Sequence, residues 1–341
     1  MDVNSSQEKS IVELLKPLEL SEIPRFENIV NLKPPLNIKP HDPLNSSEWK
    51  QIGDNLAKNS EEIRAIDAYE VAIELNPLYL DAWYKKAIIL AYIGEYEDAI
   101  TCYEKVIEIN PQNKEAWYNK GNNLYRLNKY QEAVECYDHV IQNNSNSTEA
   151  WHNKGLALFN LENFKAAEEC FQSVTTLDPL DEDGWNTRGF ALYYSGNFRD
   201  SLYCFDKVIQ IDAYPYDSWN DKGVALAELG DYTNATKSFD EAIGLNSRYS
   251  KAWYNRGNVY AYEGRYEGAL SFYDESLYCL EFRSWEDTYS NAWYNKYIIF
   301  KKLKREAEAN EAFEKITNAV SSELPNEKFL KRILLKDDYT I

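Results

Sequence analysis

The chain has 341 residues, 44% hydrophobic and 27% charged, the composition of a folded protein rather than a disordered one. A formal net charge of −19 repels nucleic acid and anionic lipid, so neither is expected as a partner. No window approaches a membrane-spanning apolar run, and MDVNSSQEKSIVELL lacks the basic-then-apolar order of an export signal; the chain is expected in the cytoplasm, with its five cysteines reduced.

Residues 1–45 read as an arm. A short helix is expected through SQEKSIVELL, ended by Pro17, and the four prolines of NLKPPLNIKPHDPL favour an extended segment. The arm reads either as a tail or as a strap that caps the rest or lies in its groove.

From residue 46 a repeat takes over. Tryptophans stand at 49, 83, 117, 151, 185, 219, 253 and 293, the first six steps being 34 residues and the last 40. Four residues after each comes Gly53, Ala87, Gly121, Gly155, Gly189, Gly223, Gly257 or Tyr297. Seven after comes an apolar residue, from Leu56 to Phe300, which completes a helical stripe. Gly94, Gly196, Gly230 and Gly264, eleven after, are expected to stop that helix in a left-handed cap. A second helix is predicted from Tyr96, Tyr130, Phe164, Phe198, Tyr232 and Tyr266, with Ala at sixteen and an aromatic at twenty as its inward stripe. Gly or Ala against Ala is expected to let the pair cross closely. Asn or Asp before Pro77, Pro111 and Pro179 ends it.

These columns resemble the tetratricopeptide repeat (TPR) family, in the multi-repeat style common in archaea and bacteria. The resemblance covers about 46–323 and implies an all-α, right-handed α-solenoid of about eight helix-turn-helix repeats: 46–79, 80–113, 114–147, 148–181, 182–215, 216–249, 250–283 and 290–323. The end repeats depart most, with Ser60 and Glu62 in the first and Tyr297 and Lys304 in the last at turn or packing positions. Six extra residues fall near 281–289, a stretch holding the off-register Trp285; it reads as a longer loop or as a contact loop. Residues 324–341 place Phe329, Leu330, Ile333 and Leu334 on one helical face, which suits a capping helix; an amphipathic membrane or partner helix is the alternative, and the acidic rest of the chain counts against membrane.

No catalytic pattern emerges. The three histidines have no metal-ligand spacing, and phosphate-loop, dinucleotide and nucleophile-elbow motifs are absent. No cofactor or metal is expected. Cys102, Cys136, Cys170 and Cys204 recur at the repeat period. Equivalent positions in stacked helix pairs lie about 10 Å apart, beyond the roughly 7 Å Cα reach of a disulfide, so this column reads as apolar packing.

The expected activity is therefore binding. The resemblance implies that first helices line a concave groove. Two residues after the tryptophans stand Asn119, Asn153, Asn255 and Asn295, whose amides can grip an extended peptide backbone. One after stand Tyr84, Tyr118, His152, Tyr254 and Tyr294, and eight after Tyr125, Phe159 and Tyr193, flat contacts with polar tips or rings that stack to stiffen the wall. Asp81, Glu115, Glu149, Asp183 and Asp217 form an acidic column that fits a basic partner, or simply favours the helix dipole. A basic column of Lys86, Lys120, Lys154, Arg188, Lys222, Arg256 and Lys296 is expected to reach second-helix carboxylates, the alternative being a stripe for an acidic ligand.

The resulting expectation is a non-catalytic scaffold or adaptor for a protein or peptide, basic or extended in character. A regulatory subunit docking on a separate enzyme and a self-associating assembly protein are the alternatives. Oligomeric state is not encoded legibly.

Overall fold

The computed structural model describes residues 44–280 and 287–321; the arm's expected helix and Pro-rich stretch, Trp285 and the expected capping helix lie outside them. The described residues form sixteen helices and no strand. They pair as α1 (Ser46–Lys58) with α2 (Glu62–Leu75), α3 (Leu80–Tyr92) with α4 (Tyr96–Ile109), α5 (Lys114–Arg126) with α6 (Tyr130–Asn143), and α7 (Thr148–Asn160) with α8 (Phe164–Leu177). Then follow α9 (Glu182–Tyr194) and α10 (Phe198–Ile211) in sequence, α11 (Tyr216–Glu228) with α12 (Tyr232–Leu245), α13 (Ser250–Tyr262) with α14 (Tyr266–Cys279), and α15 (Asp287–Lys302) with α16 (Glu306–Ser321). Compactness divides the chain into two units that meet in sequence at Ala191 and Leu192. Within each unit successive helical hairpins stack, an all-α solenoid segment with its core running between the layers.

The small residue after each tryptophan is explained by a ring rather than by the facing alanine. A Cβ on Gly155 would lie 2.6 Å from Phe171 Cε1, and one on Gly223 2.5 Å from Phe239 Cε1. Gly53, Gly121 and Gly257 face Tyr69, Tyr137 and Tyr273 in the same way. These rings are no more than 1% exposed, and each such burial contributes roughly 1.5–3 kcal/mol. Ala65, Ala99, Ala133, Ala167, Ala235, Ala269 and Ala309 are fully buried beside them. Phe313, the equivalent ring in the last described pair, is 43% exposed and lies 5.9 Å from Tyr297, which stands where the other repeats have Gly or Ala.

All eight pairs make the same turn. Gly94, Gly196, Gly230 and Gly264 have φ between 76° and 90°, and Ser60, Asn128, Glu162 and Lys304 hold the same register at φ 54–59°. A backbone N–H three residues past the last helical residue closes back on the carbonyl of Leu56, Leu90, Leu124, Leu158, Leu192, Leu226, Tyr260 or Phe300, the six-to-one bond of a Schellman cap. The end repeats, which depart in sequence, thus keep the geometry. Tertiary closure imposes αL on Ser60 and Lys304, at a cost a glycine avoids.

Neighbouring hairpins are joined by small residues and by the tryptophans. From Trp83 onward the position before each repeat tryptophan is Ala, Gly or Ser; Ala82, Ala116, Ala150, Ala252 and Ala292 are fully buried. A Cβ on Gly184 would come within 2.7 Å of Val174 Cγ1 on the preceding helix. The indole N–H of Trp83, Trp117 and Trp185 donates to the carbonyls of Pro77, Pro111 and Pro179 at 2.9–3.0 Å. Trp151 and Trp253 use Ser145 and Ser247 in the same way. Each ring therefore ties the incoming loop to its own helix. The cysteines of the repeating column are buried thiols outside any disulfide. Burial pushes the thiols up, to about 11 at Cys102 and Cys170 and about 12 at Cys136, which suits packing rather than thiolate chemistry.

Candidate peptide-binding face

The polar candidates of the first helices meet their neighbours one hairpin away. Asn119 Nδ2 donates to the Tyr84 hydroxyl at 3.1 Å. Asn153 Nδ2 donates to the Tyr118 hydroxyl at 2.9 Å and to Asn122 Oδ1 at 3.0 Å. Asn295 does the same to Tyr254 at 3.2 Å and Asn258 at 2.8 Å. Where Tyr is replaced by Asn220, Asn255 Nδ2 turns to its Oδ1 at 2.9 Å. The asparagine ladder is thus stitched sideways into the wall. Each amide has committed a donor to the protein, which fixes its plane.

The aromatic candidates combine contact with support. Tyr84 packs edge-on to Tyr103, with centroids 5.9 Å apart, and Tyr254 lies 5.7 Å from Tyr273. Tyr125, Phe159 and Tyr193 each meet the first aromatic of the following helix, Tyr130, Phe164 and Phe198, at 5.0–5.3 Å in T-shaped pairs. All of these candidates, and Tyr294, remain half-buried, so each ring presents part of its surface. His152 sits edge-on to Phe171 at 5.6 Å, and burial holds its imidazole below the ordinary histidine range.

A polar partner one turn along was missed in the sequence. Tyr69, Tyr137 and Tyr273 donate to Asp54, Asn122 and Asn258 at 2.8–3.0 Å, each five residues after its tryptophan. Repeats with Phe171 or Phe239 in place of tyrosine carry Leu156 or Val224 there. The covariation is visible in the chain itself and marks a polar pair or an apolar one. The repeat of Tyr103 breaks the rule with Ile88.

The basic column is structural. Lys86, Lys120, Lys154, Lys222 and Arg256 pair with Glu70, Glu104, Asp138, Asp206 and Asp240 at 2.6–2.8 Å, and Lys296 pairs with Asp274. Every pair links a first helix to the second helix of the preceding hairpin. Gln172 stands where the carboxylate is expected; Arg188 reaches back one turn to Glu168 at 2.9 Å. Six of these cations also lie 4.5–5.9 Å from the centroid of the tryptophan three residues before them. The acidic column lies in the first turns of its helices, and Asp81 pairs with Lys50 at 2.5 Å. Asp221, a half-buried member of the ladder position, has its carboxyl pushed up to about 7 by burial and then by the neighbouring Asp217.

Among the described residues no cluster of His, Cys, Asp and Glu could hold a metal, and no helix is long and apolar enough to cross a membrane.

Comparison with known proteins agrees on the repeat. Tetratricopeptide repeat models match residues 80–113, 115–147 and 148–180, and 186–247 and 220–283. No curated protein sequence matches. Among solved structures, the C-terminal part of a TPR repeat-containing protein from Cytophaga hutchinsonii is similar over 73% of this chain and 98% of its own, with TM-score 0.56 and 16% identity. A tetratricopeptide repeat protein from Parabacteroides merdae aligns over 69% and 93%, with TM-score 0.51 and 15% identity. YrrB, described as a TPR protein with an unusual peptide-binding site, aligns over 55% and 96%, with TM-score 0.50 and 24% identity. At such identities these likenesses speak to fold alone. The repeat models cover more than half of the sequence, in the register of the tryptophans, and the chain belongs to the tetratricopeptide repeat family.

Proposed function

We propose that this protein is a non-catalytic interaction scaffold that holds an extended peptide or protein segment against the face built by its first helices. The observation that carries the reading is the stitching of Asn119 to Tyr84, Asn153 to Tyr118 and Asn295 to Tyr254. It leaves amide carbonyls held in fixed orientation between half-exposed rings. Such groups can accept from successive backbone N–H groups of a ligand without ordering cost at the moment of binding. The acidic field of the chain favours a segment without excess negative charge overall. YrrB's described peptide-binding site is consistent with the reading.

The test is a peptide-display selection on the wild type, followed by affinity measurement on Asn119→Ala/Asn153→Ala. A loss of at least tenfold supports the first-helix face. Unchanged affinity moves the contact elsewhere. Leu78 and Leu180, 73% and 75% exposed on inter-repeat loops, favour a loop-edge docking surface as the second reading.

A further inference from the structure

A cleft of about 220 Å³ opens between the seventh and eighth hairpins, lined in part by Ala261, Tyr262, Tyr266, Tyr273, Asn295 and Lys302. A missing ring contributes to it. Eight positions after their tryptophans, the third, fourth and fifth repeats carry Tyr125, Phe159 and Tyr193, whereas the seventh carries Ala261. Tyr125, Phe159 and Tyr193 each stand edge-on to the aromatic that begins the next helix. Tyr266 is that aromatic in the seventh repeat, and the alanine leaves the place beside it open. Ala57, Ala91 and Ala227 also lack the ring; beside Ala227, Tyr262 covers Tyr232 with centroids 4.7 Å apart.

The neighbouring hairpin shows what the occupant's polar end meets. The Tyr125 hydroxyl accepts from Asn160 Nδ2 at 2.9 Å, and the Tyr193 hydroxyl donates to Glu228 at 3.4 Å. Both partners stand nine residues after their own tryptophan. In the eighth repeat that position is Lys302. Its ammonium lies 5.8 Å from the Tyr266 centroid and forms no ion pair among the described residues. The adjacent cations differ: Lys301 pairs with Glu306, and Arg305 with Glu308 and Glu267. A lone lysine thus sits at the mouth of an aromatic cleft in a chain of net charge −19. At the cleft floor Asn295 Nδ2 is already committed to Asn258 and Tyr273.

We propose that this cleft takes an aromatic side chain of a partner peptide with a carboxylate beside the ring. The ring replaces the missing side chain at Ala261 and stands edge-on to Tyr266, while the carboxylate meets Lys302. The inference rests on the reading of the first-helix face as a peptide platform and names one specificity of that platform. The test is ¹⁹F NMR titration of an acetylated hexapeptide in which 4-fluorophenylalanine is followed by aspartate. A companion peptide has asparagine in place of the aspartate. A saturable shift with the wild type is expected. Ala261→Tyr fills the cleft with the residue the third and fifth repeats already carry, and should weaken binding at least tenfold with unchanged helicity. Lys302→Asn should weaken the aspartate peptide severalfold and leave the asparagine peptide unaltered. No saturable shift, indifference to Ala261→Tyr, or equal loss for both peptides on Lys302→Asn would overturn the proposal. A display-selected ligand that depends on Asn119 and Asn153 yet ignores Ala261→Tyr removes the cleft and keeps the platform. Cleft binding that survives Asn119→Ala/Asn153→Ala alongside a failed selection does the reverse.

Discussion

Lys154 Nζ lies 2.6 Å from the carboxylate of Asp138, a residue of the preceding hairpin, while stacking 5.4 Å from the centroid of its own Trp151. One side chain thus joins the packing within a repeat to the stacking between repeats. Asp138 is 39% exposed, so solvent screens the pair. Lys154→Met is expected to cost about 0.5–1 kcal/mol, with a salt-dependent part seen as a shift of the urea midpoint between low and high sodium chloride. Arg188→Lys should cost more than Lys154→Arg, because Glu168 sits one turn further back than the usual partner and needs the longer fork.

The turn offers a cleaner test. Glu162 holds φ 59° in the register where other repeats place glycine. A Cβ at Gly94, Gly196, Gly230 or Gly264 meets nothing within 4 Å, so the preference there is purely one of backbone conformation. Glu162→Gly is expected to stabilise by about 1 kcal/mol, and Gly94→Ala to destabilise by a similar amount. Thermal and urea midpoints check both. Because stacked repeats unfold with limited cooperativity, the shift is read in local hydrogen exchange as well.

What was legible in the sequence follows from what repeats eight times. The tryptophan, alanine and ring columns are each dictated by one packing contact, so their spacing alone places the helices of the described residues. The partner of Lys120 was legible only as a column; that Glu104 belongs to the previous hairpin needed the stacking geometry. The role of Gly155 against the Phe171 ring, rather than against an alanine, depends on helix rotation that spacing does not fix. The cleft beside Ala261 was invisible for another reason. Its signal is the absence of a side chain, and an alanine at an otherwise variable position announces nothing until the neighbouring ring is placed.

Asp221 predicts a pH dependence. Burial and Asp217 push its carboxyl up to about 7, against the favourable reach of Asn220 and Lys251; Tyr194 and Tyr249 also feel this charge. The folded state therefore binds a proton that the unfolded state, with a pKa near 4, has already released. Between about pH 4 and 7 stability falls as pH rises, and above 7 the full penalty remains. Discounted for partial solvent access, the penalty is on the order of 1–2 kcal/mol. Asp221→Asn is expected to stabilise the protein at pH 8 by about that amount and to leave it unchanged at pH 4. Urea midpoints across this range carry the test: a wild-type and variant difference constant with pH would remove Asp221 as the titrating group.

The pairing of Tyr137 with Asn122 yields a cycle the sequence has already run. Tyr137 donates to Asn122 Oδ1 at 2.9 Å, and the next repeat places Phe171 and Leu156 at the same two positions. Tyr137→Phe removes one of two bonds to that oxygen, the other coming from Asn153 at 3.0 Å, and is expected to cost about 1 kcal/mol. Asn122→Leu strands a buried hydroxyl and costs more, about 1–3 kcal/mol. The double variant recreates an apolar pair native to the neighbouring hairpin, so it should be more stable than the sum of the single effects by about 1 kcal/mol or more. Strict additivity in the cycle would mean that the hydroxyl and the amide do not act as a unit. The same double variant removes one of the two bonds that orient Asn153, while Tyr118 keeps the other. A ligand gripped by that amide should then bind more weakly although the fold is intact. That separation of stability from affinity is the result to look for in paired urea and binding titrations.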